Sequence, residues 1–401
     1  MRAMILGALG LAATSLPAQA QEWDFSADVG AELRTFFEDP AYPQQFETYQ
    51  PSLILNAEAV YESASGKHQF VIAPFARVDG QDDERTHLDL REAYYRYAGD
   101  EIDILVGATK IFWGVTESRH LVDIINQTDA VEDIDEEDKL GQPMVKVSLL
   151  KDWGQLDLFV LPYFRERTFP GEDGRLRFPF VVDTDRVIYE DDDEEWHTDV
   201  AARYSNFFGN WDVGVSAFHG TSREPNLGVS QDPLTAQLDV VPLYDQITQV
   251  GIDAQYTKDA WLWKFEGIVR EGQGDTFAAA VAGFEYTFFG VTESGADLGV
   301  LLEYLYDGRD EAFAPPTPQE NDVFYGARYA LNDIQDTSIL AGAITDVEDG
   351  TTSGLIEAER RFGQNWKGEL EARFFTNVDD RNLISAFEQD SALTLRLTRY
   401  F

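Results

Sequence analysis

From Trp23 to Phe37 the chain alternates without a break. Trp23, Phe25, Ala27, Val29, Ala31, Leu33 and Phe37 fall on odd positions, and Asp24, Ser26, Asp28, Glu32 and Arg34 on even ones. A period of two places these sets on opposite faces of an extended strand and fits no helix. Comparable segments recur to the end of the chain, starting near Tyr49, His68, His87, Ile102, Met144, Gln155, Thr198 and Trp211, and then from Thr248 through Trp366 to Gln389. The expected count is eighteen, with sixteen as the alternative, because 86–98 and 353–362 alternate poorly. Most segments are ten residues or more, against about 5–6 for a strand in a soluble domain.

The connections sort by length. Every second one is tight: Ser63–Lys67, Gly99–Glu101, Lys151–Gly154, Phe207–Asn210, Lys258–Ala260, Gly290–Gly295, Asn332–Asp336 and Gly363–Asn365. Those between are mostly longer, at 38–48, 80–86, 114–143, 165–197, 221–246, 272–275, 307–321, 348–352 and 377–388. Short turns on one rim and long loops on the other belong to transmembrane β-barrels, with the turns periplasmic and the loops outside. A soluble sandwich has no reason to sort its loops so. In hydrocarbon a free strand edge has no partner, so the sheet must close. The expectation is an all-β, antiparallel barrel over 21–401 as a single domain.

Aromatic placement agrees, since amphipathic rings collect where hydrocarbon meets head groups. Trp23, Trp153, Trp211, Trp261, Trp263 and Trp366 lie at the tight-turn ends, as does the terminal Phe401, and form the expected membrane girdle; Trp113 and Trp196 are expected at the opposite rim. The remaining composition fits an exported protein. Arg2, the apolar run Ala3–Leu11 and Ala18-Gln19-Ala20 read as a signal peptide over residues 1–20. There is no cysteine, so no disulfide framework is available. A formal net charge of −42 argues against nucleic acid as a partner. Eight Trp, 17 Tyr and 27 Phe argue against disorder.

The last segment, Ser391-Ala-Leu-Thr-Leu-Arg-Leu-Thr-Arg-Tyr-Phe401, is a strand ending on an aromatic residue. Here the chain resembles the bacterial outer-membrane β-barrel proteins, in which such a strand is read by the barrel-insertion machinery. A narrower likeness lies in Val106-Gly-Ala-Thr-Lys-Ile-Phe-Trp-Gly114 with Asp123-Ile-Ile-Asn126 and Asp129. It is similar to an uncharacterised Gram-negative barrel family that itself resembles porins of the alginate-export type. The likeness implies an outer-membrane location and carries no substrate.

Strand register assigns a water face, which is the pore-lining expectation: Arg34, Arg77, Arg203, Lys264, Arg270, Arg328, Arg373 and Arg396, with Glu32, Glu58, Asp199, Asp253, Glu266, Glu303 and Glu371. A charge on the lipid face costs about 2–4 kcal/mol at the midplane, so these must turn inward. Either they form charged rings that select ions or they pair along the wall. Loops 114–143 and 165–197 are both long enough to fold inward as a constriction. The acidic runs Glu132–Asp138 and Glu190–Glu195 lack the spacing of a calcium loop; they read as solvated surface or as loose attraction for divalent ions beside lipopolysaccharide.

Eighteen strands enclose an aqueous channel. The sequence reads as a porin-like channel for small polar or charged solutes, and not as an enzyme. The alternatives are a conduit for an acidic polysaccharide or lipid-like molecule and, through His197 with Asp199, an outer-membrane protease. No cofactor and no structural metal are implied. The expected partners are outer-membrane lipid and lipopolysaccharide, the insertion machinery and small solutes; a homotrimer is compatible, though nothing in the sequence compels it.

Overall fold

A computed structural model describes residues 22–231 and 238–401; the expected signal peptide lies outside the described residues. Eighteen strands form one antiparallel sheet. They are β1 (Glu22–Phe36), β2 (Tyr49–Glu62), β3 (His68–Asp79), β4 (His87–Ala98), β5 (Ile102–Thr109), β6 (Gln142–Lys151), β7 (Gly154–Leu161), β8 (Asp199–Phe208), β9 (Trp211–Thr221), β10 (Gln246–Lys258), β11 (Trp261–Glu271), β12 (Phe277–Phe288), β13 (Asp297–Asp307), β14 (Asn321–Ala330), β15 (Ser338–Asp346), β16 (Thr352–Phe362), β17 (Trp366–Thr376) and β18 (Ala392–Tyr400). Each pairs with its neighbours in sequence, and β1 closes on β18 in a register running from Asp28 opposite Tyr400 to Phe36 opposite Ala392. No helix among the described residues is long and apolar enough to cross a membrane.

Burial is inverted relative to a water-soluble protein. On β1, Phe25 is 70% and Leu33 40% exposed, whereas Glu32 and Arg34 beside Leu33 are 4% and 6% exposed. The same holds for Leu53, Val250 and Leu302, which stand outside, against Arg77, Asp253 and Glu303, which are buried inside. Fully burying one such apolar side chain gains about 1.5–3 kcal/mol, so an outer wall of them is stable only against hydrocarbon. The tight turns bend where glycine supplies a positive φ, +65° at Gly209 and +64° at Gly363.

Both weakly alternating segments are strands, and each has a physical reason for its pattern. Pro74 pairs with Leu90 while Ala73 pairs with Glu92, so Arg91 is an extra residue. This bulge reverses the outward parity: Leu88 and Leu90 face outward before it, and Tyr95, tilted against the outward Phe70, after it. In β16 the pattern is blurred because Arg360 shares the outer row of Gly368 and Leu397.

The loops build structure of their own. Asn226–Gln231 and Leu238–Tyr244 pair antiparallel, and Ile188–Tyr189 joins them in parallel, tying loops 162–198 and 222–245 together. Across the mouth, Arg175 binds Asp390 (2.6 Å) and the Glu47 and Gln389 carbonyls. Beside it Leu176 and Phe178 pack with Phe36, Phe46, Phe375 and Phe387.

Candidate functional site

Loop 110–141 leaves β5, crosses the barrel interior and returns to β6. It has little regular structure, and side chains replace the missing ladder. Asn126 accepts from the Ile111 amide (2.8 Å) and donates to the carbonyls of Thr109 (2.9 Å) and Leu140 (2.8 Å), clamping both ends of the loop to its middle. The Asp129 amide donates to the Asp138 carbonyl and the Leu140 amide to that of Gln127. Leu121, Val122, Ile124 and Ile125 are buried against Phe218, Ile247, Ile268, Val281, Leu301 and Phe324 of the inner wall. At roughly 2 kcal/mol per side chain, this burial makes the loop a resident of the lumen rather than a flap.

Two ionic anchors hold it, and they gather most of the residues expected to line the pore. On one side Glu32, with no exposed side-chain surface, takes Arg77 (2.7 Å), Arg85 (3.1 Å) and Arg396 (2.9 Å). From the loop, Glu132 meets Arg77 (2.8 Å), and Asp133 meets Arg34 (2.6 Å) and Arg373 (2.7 Å). Glu371 lies 3.3 Å from Arg373. Arg85 donates to the Val131 carbonyl at 2.9 Å. Buried charges are tolerated when paired with an opposite charge, and each of these carboxylates has an arginine within 3.3 Å.

On the opposite side two wall carboxylates accept backbone N–H groups of the loop. Glu266 Oε1 takes the Val115 amide (2.7 Å), the Thr116 amide (3.0 Å) and the Thr116 hydroxyl (2.7 Å), and its Oε2 takes the Val122 amide (3.2 Å). Glu303 takes the amides of Glu117 and Ser118 (2.8 Å each) and the Ser118 hydroxyl (2.6 Å). The Glu117 carboxylate then bridges Lys264 (3.4 Å) and Arg328 (2.7 Å). His120 presents Nε2 to Glu137 (3.1 Å) and Nδ1 to Glu266 at 3.8 Å, the latter a Coulombic contact rather than a hydrogen bond. Burial alone would lower the His120 pKa, but the two carboxylates raise it to about 10.

The remaining expected residues are dispersed. Arg203 pairs with Asp253 and lies 5.4 Å over the Trp113 ring. Arg270 meets Glu224 at 3.2 Å. Asp199 holds Arg223 through Oδ2 (2.7 Å) and the Thr221 amide through Oδ1, with His197 2.9 Å from that same Oδ1. Glu58 stands exposed on the inner face of β2. The tight-turn rim carries the exposed rings of Trp23, Trp153, Trp211, Trp261, Trp366 and Phe401, several paired with tyrosines, as Trp211 with Tyr256 at 4.8 Å. Trp113 departs from its expected rim position. It is 4% exposed, edge-on to Phe159 inside the lumen, because it belongs to the inward loop. Trp196 is exposed against Tyr163 near the long-loop rim.

Sequence reasoning missed the groups that anchor the loop, Glu117, Arg119, Glu132 and Asp133 within it and Arg85 and Arg223 from neighbouring loops, since irregular loops carry no period that assigns a face. The one available signal was the segment Asp123–Asp129, whose Asn126 and Asp129 do hold the loop. Asp129 pairs with Arg91 at 2.6 Å, and its pKa is driven to about 2 as the His87 and Arg91 contacts overcome burial. His87, Asp129 and Glu132 converge within 4.8 Å. Arg77 and Arg91 occupy the two carboxylates, so the arrangement is an ion-pair network.

Above the loop, toward the long-loop rim, lies a cavity of about 1300 Å³. Arg119, Arg177, Arg270 and Arg309 line it together with an apolar shelf of Phe169, Phe178, Phe180 and Pro315–Pro316. The arrangement is a lumen narrowed by a fixed loop, with charges of both signs and an amphipathic antechamber.

Among solved structures the chain is similar to OccK11 (OpdR) of Pseudomonas aeruginosa, at 9% identity and a TM-score of 0.52, covering 94% of this chain and 96% of that one. It is also similar to OpdQ of the same organism (9%, TM-score 0.48, 95% and 97%) and to OmpT, an outer-membrane protein of Vibrio cholerae in trimer form (10%, TM-score 0.45, 96% and 99%). No protein-family model and no curated protein sequence matches it. At this identity the likeness to OccK11 shows the fold alone, a closed antiparallel β-barrel.

Proposed function

We propose that this barrel is a selective channel of a Gram-negative outer membrane, passing small polar or charged solutes around the inward loop 110–141. The observation that carries the reading is the loop itself. An interior clamped from two walls by Glu32, Glu266 and Glu303 still leaves a 1300 Å³ chamber open to charged side chains of both signs. Solutes enter over the Arg119, Arg177, Arg270 and Arg309 face and pass the narrowing beside Glu117 and Arg328. In this reading the tight-turn tryptophans form the membrane girdle, lipid and lipopolysaccharide surround the wall, the insertion machinery reads β18, and any homotrimer assembles through the outer wall.

A channel is favoured over an enzyme because His197 orients on a carboxylate that is committed to Arg223 and the Thr221 amide. The amphipathic shelf keeps the second reading, a conduit for an acidic polymer or lipid-like molecule, in play. Planar-bilayer recordings separate the two: discrete conductance steps with reversal potentials set by a salt gradient support the channel, and a silent bilayer overturns it in favour of the conduit.

A further inference from the structure

The outer wall carries a groove where the barrel closes. Three rows of outward side chains cross it in register. Nearest the tight-turn rim lie Val29, Arg399, Trp366 and Phe362; next come Ala31, Leu397, Gly368 and Arg360; then Leu33, Leu395, Leu370, Ala358 and Ile339. Ala31 and Gly368 leave the middle row low between aromatic rings and leucines, and the depression encloses about 490 Å³. The Phe362 ring lies against Gly368 so closely that a Cβ there would meet it at 2.7 Å.

Arg360 stands close to the Gly363 turn, whereas Ala31 is well along β1 from Glu22. With strands tilted by about 35–45°, the row therefore climbs from the rim into the hydrocarbon. Its lower end is basic in a chain of formal charge −42. Arg360 holds Asp333 through one nitrogen at 3.0 Å. Arg399 lies over the Trp366 (5.6 Å) and Phe401 (4.8 Å) rings, with no carboxylate at ion-pair distance among the described residues. Outward charges cost about 2–4 kcal/mol at the midplane and about 0–1 kcal/mol near the interface, which puts these guanidinium groups at head-group depth. Their backbones are roughly 12 Å apart, by strand spacing and rise, and long side chains close that gap.

We propose that this groove is a phospholipid site: an acyl chain lies along Ala31, Gly368 and Leu397, and the phosphodiester of an anionic head group is bound by Arg360 and Arg399. An apolar track ending in arginines at head-group depth matches that molecule, and a guanidinium binds phosphate through paired N–H donors. A second copy of the chain would find two outward cations facing its own pair.

The test uses the full-length barrel in detergent micelles carrying phosphatidylglycerol or phosphatidylcholine, with retained lipid counted by native mass spectrometry. The native protein retains phosphatidylglycerol preferentially. A juxtamembrane cation contributes about 1 kcal/mol, close to fivefold, so Arg360→Gln with Arg399→Gln weakens retention roughly thirtyfold. Ala31→Leu, which fills the groove on an exposed outer position without touching the arginines, reduces retention of long-chain phosphatidylglycerol but leaves a short-chain analogue unaffected. Lys258→Gln, elsewhere on the same rim, changes nothing. Equal retention of the two lipids by the native protein, or undiminished retention by the double variant, overturns the site. So does an oligomer that excludes lipid and dissociates on Ala31→Leu, which would make the groove a protomer contact.

Discussion

Glu266→Gln is the perturbation that most directly probes the inward loop. The native carboxylate is fully buried and accepts three backbone amides and a hydroxyl from Val115, Thr116 and Val122. Glutamine keeps the shape but removes the charge and turns an NH₂ group toward donors that need an acceptor. A hydrogen bond to a charged group contributes about 1.5–3 kcal/mol, and a buried donor left unmade costs about 1–3 kcal/mol. Relaxation around the site recovers part of this, so the net weakening of the clamp is about 3 kcal/mol. At 1.36 kcal/mol per decade, local opening rises roughly 100-fold. Hydrogen exchange followed by mass spectrometry should show the 115–122 amides exchanging faster by that factor. Peptides from β2 and β10 should be unchanged, because the wall ladder uses the Glu266 backbone and not its side chain. In bilayers the same variant should flicker to higher conductance. Unchanged protection of 115–122 would refute the claim that wall carboxylates hold the loop.

The charged His120, whose pKa is raised from 6.5 to about 10 by Glu137 and Glu266 against the opposing effect of burial, contributes loop stability that is complete below pH 6.5 and lost as pH climbs through about 10. Conductance noise should therefore grow over that window, and His120→Gln should remove the pH dependence. Arg77→Met leaves the buried Glu132 without its arginine and Glu32 with Arg85 and Arg396 alone, and should lower unfolding stability in detergent by about 3–5 kcal/mol, measured by urea titration; adding Glu132→Leu should restore part of it, and no rescue would contradict the pairing. Leu302→Arg, on the outer face of β13 at 42% exposure, should cost about 2–4 kcal/mol and cut assembly into vesicles, read as the folded fraction by gel mobility.

The barrel was legible because hydrocarbon outside and water inside impose a period of two that survives in sequence. Strand starts such as Tyr49, Ile102 and Trp366 follow from it directly, and the tight Gly-Asn turns mark the rim. The bulge at Arg91 shows where the reading thins, since one extra residue reverses the faces and looks like lost alternation. Phe277-Ala-Ala-Ala-Val281 shows a second failure. Its inward side is apolar because it receives Val122 and Ile125 of the loop, so a lumen expected to be polar throughout contains a packed patch. The loop's path was beyond the sequence for a further reason. Loops 114–143 and 165–197 are both long and acidic, and the complementarity of Glu132 and Asp133 to arginines from β1, β3 and β17, with the wall carboxylates Glu266 and Glu303 on the other side, selects the first for the lumen. The pairing joins residues separated by up to about 240 positions, which no local pattern encodes.

The chain has no native cysteine, so single cysteines can be placed along β2 and spin-labelled in lipid vesicles. Accessibility to oxygen and to a water-soluble relaxant at 53, 55, 56 and 58 tests the closed wall directly. The account predicts oxygen-rich, water-poor signals at Leu53 and Leu55 and the reverse at Asn56 and Glu58. Equal access of the water-soluble relaxant to all four positions would contradict it.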